Sequence, residues 1–181
     1  LVEKKKYEEK SPPAYVGGLG AVGGQALRDF VAEGGTLLAI DAACNWAIEH
    51  LYLPVTNVLV GAKEEEFYCP GSLLRLVLDT EHRLAYGMPR ESVATFVHSP
   101  AFHIGDRGSV SSAGSYPSTN PNLSGWIHGW EKLAGKSALL EVRVGKGVVV
   151  LIGFRTQFRA QARGTYKVLF NALLSSTLEA G

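Results

Sequence analysis

Apolar positions along this chain switch between helical and strand spacing, and the switches mark its elements. Val22, Ala26, Leu27, Phe30 and Val31 lie on one face of a 3.6-residue repeat, which predicts a helix over Ala21 to Glu33 that closes at Gly34-Gly35. Thr36 to Ile40 follows as a short buried strand. Helical spacing returns from Cys44 to Tyr52 through Ala47, Ile48 and Leu51, and Pro54 ends it. Helix, strand and helix in this order predict a parallel sheet with crossover helices.

The middle of the chain is less regular. Strands are expected at Asn57 to Val60, Leu73 to Leu78 and Val93 to Val97, separated by turns rich in Gly, Pro and charge, which suggests an insertion or an antiparallel edge. Gly105 to Ser124 is dense in Ser, Gly, Asn and Pro and reads as a surface excursion with at most one strand, near Val110 to Tyr116. Ser137 to Val144 and Val148 to Gly153, joined at Gly145-Lys146-Gly147, read as a hairpin. A last helix is expected from about Thr165 to Leu178, apolar at Val168, Leu169, Ala172 and Leu173.

Composition narrows the classes of partner. The chain has 181 residues, 46% hydrophobic and 19% charged, and runs such as Val148 to Ile152 stop far short of the roughly 20 apolar residues that cross a bilayer. A formal net charge of +1 offers no field for nucleic acid, and Lys4-Lys5-Lys6 is offset by Glu3, Glu8 and Glu9. Neither a membrane nor a nucleic acid is therefore expected as a partner. Residues 1–14, charged and ending near Ser11-Pro12-Pro13, have the composition of a linker, leaving 15–181 as one α/β domain. A chain that begins at Leu1 is read as a fragment whose upstream part, with any signal peptide, has been removed.

Four motifs invite a chemical reading, and each has a plainer one. Gly18-Leu19-Gly20-Ala21-Val22-Gly23 matches a dinucleotide fingerprint with Asp41 closing the next strand, but that mechanism needs a buried strand before Gly18. Pro12 and Pro13 stand close to the place where that strand would run, so a glycine loop that starts a helix is the better reading. His128 and Glu131 have a zinc-ligand spacing without a recognisable third ligand, so no metal is expected in this fragment. Cys44 lies near a helix start, where a thiol can be activated, and Cys69 lies between Tyr68 and Pro70. The sharp turn after the strand is Ile40-Asp41-Ala42-Ala43, which gives the nucleophile-elbow position to Asp41 and leaves Cys44 inside the helix.

Several strings together resemble a known module: Tyr15 to Gly20, Phe30 to Leu37, Cys69-Pro70-Gly71-Ser72, Ala85 to Pro89 and Ser99 to Phe102. Ser124-Gly125-Trp126, Gly153 to Arg159, Gly164 to Lys167 and Leu169 to Leu173 extend the likeness over nearly the whole chain. It resembles the class I glutamine amidotransferase-like domain found downstream of the catalytic domain in bacterial zinc-carboxypeptidase-like proteins.

That resemblance implies a flavodoxin-like, mostly parallel sheet with helices on both faces. It also implies a periplasmic or secreted parent protein whose upstream metallopeptidase domain is this domain's partner and holds the zinc. Active amidotransferases carry a cysteine at the elbow and a histidine and glutamate after a late strand. The matching positions here are Asp41, Arg155 and Gln157, so all three catalytic roles are expected to be lost. The sequence therefore predicts a non-catalytic accessory domain, with Asp41, Arg155, Gln157 and Arg159 as a candidate site for a small anionic ligand or an interface. The alternative kept open is a thiol-dependent hydrolase using Cys44 or Cys69.

Overall fold

Five consecutive apolar residues, Val148 to Ile152, have no polar face to give to water and can only run through the middle of a sheet. In the computed structural model, which describes residues 18–178, they do so. The described elements are helix α1 (Gly20–Ala32), strand β1 (Thr36–Ile40), helix α2 (Ala43–His50) and strands β2 (Val55–Asn57), β3 (Tyr68–Leu78) and β4 (Glu91–Phe96). Strands β5 (Phe102–Ile104), β6 (Val110–Ser115), β7 (Asn122–His128), β8 (Ser137–Val144) and β9 (Gly147–Ile152) follow, then helix α3 (Tyr166–Leu178). All nine strands join one sheet, whose main path runs β1-β9-β8-β6-β3-β4.

The β9 side chains alternate between two cores. Val149 and Leu151 pack with Val31 of α1 and with Cys44 and Ala47 of α2, while Val148, Val150 and Ile152 pack with Val168 and Ala172 of α3. The second core is the larger and extends under β3, β4 and β6 through Leu74, Leu76, Phe96 and Tyr116.

The expected flavodoxin-like, mostly parallel sheet is not what the chain forms. Among the described residues only β1 and β9 pair in parallel, and the other pairings are antiparallel in a strongly curled, mixed sheet. A parallel neighbour needs a crossover of a dozen or more residues, usually a helix. Among the described residues no α-helix stands between α2 and α3, so from β2 to β9 the chain turns back on itself through loops and short 3-10 turns. Helix, strand and helix at the start of the chain thus describe one edge of the sheet only.

Smaller departures have local causes. β2 ends at Asn57, because the Asn57 side chain accepts from the backbone N–H groups of Leu59 (3.0 Å) and Ala101 (3.2 Å) and folds 58–60 into a turn. β3 starts at Tyr68, ahead of the expected Leu73, and Pro70 is tolerated there because the β3–β7 register shifts between Tyr68 and Gly71. β7 lies partly in the stretch expected to be surface loop; most of its residues are exposed, so it carries no apolar alternation to announce it. The expected linker, 1–14, lies outside the described residues.

Leu151 is fully buried, whereas Leu174 on α3 is 65% exposed. Leu151→Ala is expected to cost about 2–5 kcal/mol in urea unfolding. Leu174→Ala is expected to stay within about 0.5 kcal/mol of the parent chain.

Candidate functional site

Parallel pairing of β1 with β9, in the register Ile40↔Ile152, brings the carboxyl ends of both strands to one level. Asp41 is the first residue past β1. Its N–H donates to the Ile152 carbonyl at 2.8 Å, and its φ of 55° lies in the left-handed region, so the chain bends sharply into α2. Small residues, Ala42 and Ala43, follow and leave the Asp41 side chain room.

On the β9 side Gly153 is required by space, since a Cβ there would lie 2.7 Å from the Pro100 carbonyl and 2.8 Å from the Phe102 ring. Phe154 is then buried in the larger core and aims Arg155 at the turn. The Arg155 N–H donates to the Thr95 carbonyl at 3.0 Å, and its Nε donates to Asp41 Oδ2 at 2.9 Å. Asp41 Oδ1 is buried with no hydrogen-bond partner among the described residues. Arg155 also lies over the Phe158 ring at 4.8 Å, and Arg159 over the same ring at 5.2 Å.

Of the four residues expected at the site, Asp41 and Arg155 form an ion pair and Arg159 joins them through Phe158. Gln157 is exposed, and its Oε1 accepts from the neighbouring Thr156 hydroxyl. Phe158 and Thr95 are the residues that sequence reasoning missed. Phe158 had a visible signal, a ring flanked by Arg155 and Arg159, whereas Thr95 is brought in by a strand pairing that no local pattern records.

Neither thiol is placed for chemistry. Cys44 is fully buried in the first turn of α2, with Sγ 3.2 Å from the Ala39 carbonyl and 3.5 Å from that of Ile152. Burial first, and then the Asp41 charge, push its pKa from the ordinary 9.0 up to about 12. Burial also pushes the Cys69 thiol up, against smaller lowering by hydrogen bonds from Ser72 and Gly71.

The other motifs are occupied by ordinary contacts. His128 Nε2 lies 2.9 Å from the Glu65 carbonyl, and Glu131 sits in the 3-10 turn Trp130–Leu133. Among the described residues no three His, Cys, Asp or Glu side chains converge as a metal site would require. The glycine motif opens α1 at Gly20, while the residues before Gly18 lie outside the described ones.

No protein-family model and no curated protein matches this chain. Solved structures share its fold at low identity. A GMP synthase-type protein from Thermoplasma acidophilum superposes with a TM-score of 0.55 and 11% identity, over 87% of this chain and 65% of that one. The β-galactosidases of Bacillus circulans sp. alkalophilus (TM-score 0.52, 12% identity, 85% of this chain) and Rahnella sp. R3 (0.52, 16%, 86%) match as well. This chain spans 20% of each β-galactosidase. At these identities the likeness concerns the fold alone. None of the three is a carboxypeptidase-associated domain, so the comparisons lend that association no support.

Arg155→Ala is expected to lower stability by about 1–2 kcal/mol, the worth of a charge-assisted hydrogen bond discounted for a guanidinium that is 33% exposed. Chemical denaturation of Asp41→Ala, Arg155→Ala and the double variant checks this, with the double variant expected to lose less than the sum of the singles. Both cysteines should resist a disulfide reagent at pH 8 until the protein is unfolded. Because the folded Cys44 pKa lies above its unfolded value, its contribution to stability is complete below about pH 9 and falls as pH rises towards 12. Urea midpoints measured from pH 8 to 11 should therefore decline more in the parent than in Cys44→Ala.

Proposed function

We propose that this chain is a non-catalytic accessory domain that supports or regulates an enzyme domain attached to it. The resemblance of its sequence motifs supplies a zinc-carboxypeptidase-like domain as the candidate for that partner. One observation carries the reading: the elbow position is filled by a carboxylate locked to a guanidinium. Asp41 Oδ2 receives the Arg155 Nε hydrogen bond at 2.9 Å where an amidotransferase would need a thiol beside a base. Arginine keeps its proton at any physiological pH, so it cannot accept one from a nucleophile. The rival reading, hydrolysis by Cys44 or Cys69, needs a thiolate, and burial holds both thiols protonated.

Purified chain is expected to hydrolyse glutamine and p-nitrophenyl acetate no faster than buffer. In a polypeptide that carries the proposed enzyme domain as well, removing residues 15–181 should lower the melting temperature or the activity of what remains. Turnover that disappears in Cys44→Ser or Cys69→Ser would overturn the non-catalytic half of the proposal. An attached domain indifferent to the removal would overturn the accessory half.

A further inference from the structure

The segment that follows β9 also roofs a cleft of about 540 Å3 on the outer face of the sheet. Leu73 of β3 and Thr95 of β4 are register partners, so their side chains share that face, and alternation adds Val97. Ala94 and Phe96 point the other way, into the larger core. Ser124 of β7, the register partner of Leu73, lines it beside them, and Phe158 and Gln161 from the segment after β9 complete the lining.

Three features of this cleft belong together. Thr95 is 4% exposed and its Oγ1 is buried with no hydrogen-bond partner among the described residues, a costly arrangement unless something entering the cleft meets it. Leu73, Val97 and Phe158 give the cleft an apolar part beside Ser72, Ser124 and Gln161. Arg159 does not line the cleft itself but lies over the ring of Phe158, which does; it is exposed and has no acidic partner among the described residues, whereas Arg155 is neutralised by Asp41.

We propose that the cleft binds a small organic carboxylate with an apolar body. The body lies against Leu73, Val97 and Phe158, a polar group meets the Thr95 hydroxyl, and the carboxylate is held by Arg159, whose planar guanidinium suits it. The volume lies within the range of small-molecule sites. This inference rests on the non-catalytic reading, since it assigns the cleft binding without turnover.

The test is calorimetric titration of the chain with 3-phenylpropionate and with its neutral analogue 3-phenylpropanamide. The carboxylate is expected to bind at least ~10-fold more tightly than the amide, with the difference shrinking as salt is raised. Arg159→Gln should abolish that preference, and Phe158→Leu should weaken both probes. Thr95→Val should weaken both as well without lowering the melting temperature, because the hydroxyl it removes has no partner among the described residues. Equal affinity for acid and amide, wild-type binding by Thr95→Val and Arg159→Gln, or no binding of the acid at millimolar concentration would each overturn the proposal. Those results leave the accessory role standing, whereas thiol-dependent turnover in the hydrolysis assay would remove the accessory role and leave the binding result intact.

Discussion

Everything at the site depends on how β9 is held. The strand is buried on both faces, and glycines stand at each end because neighbouring backbone comes too close for a side chain. At Gly147 a Cβ would lie 2.1 Å from the Val31 carbonyl, and at Gly153 it would meet the Pro100 carbonyl and the Phe102 ring. Close packing of this kind leaves little freedom of register. It fixes Ile152 opposite Ile40, and hence Arg155 within reach of Asp41.

With that register set, the strand-to-helix turn after β1 is sharp and carries a carboxylate at its first position. Asp41 adopts a left-handed conformation that a residue with a side chain enters at some cost. The hydrogen bond from its N–H to Ile152 and the ion pair with Arg155 help offset that cost and tie the two parallel strands together beyond their last ladder bond. Cys44, three positions on, faces the apolar layer between β1 and α2 and contributes as a small buried side chain.

The stretch from Gly153 to Thr165 links this turn to the outer sheet face. Arg155 pairs with Asp41 through its side chain and with Thr95 through its backbone, and the Thr165 hydroxyl donates to the Thr156 carbonyl at 2.9 Å, closing the loop on itself. Within it Arg159, Ala160 and Ala162 all have left-handed backbone, and Phe158 is left spanning the two arginines and the cleft. One short segment thereby connects the ion pair to the candidate ligand site.

The sequence by itself determined the local elements whose signal is periodic. The three helices, β1 and the β8–β9 hairpin fall within a residue or two of where apolar spacing and the flanking glycines put them, because those signals arise from each segment's own burial. It also determined that Asp41, not Cys44, takes the turn after β1, since that depends only on counting from the end of a strand. Pairing was decided by the tertiary structure. Whether a strand's neighbour runs parallel or antiparallel depends on the path between them, so the helix, strand and helix at the start could not reveal that eight of the strands pair antiparallel with at least one other. β7 has no apolar period and exists because β3 offers it an edge. Thr95 reached the site in the same way: its chemistry is invisible in Val93 to Val97 read alone and follows from a backbone bridge to Arg155, 60 positions later in the chain.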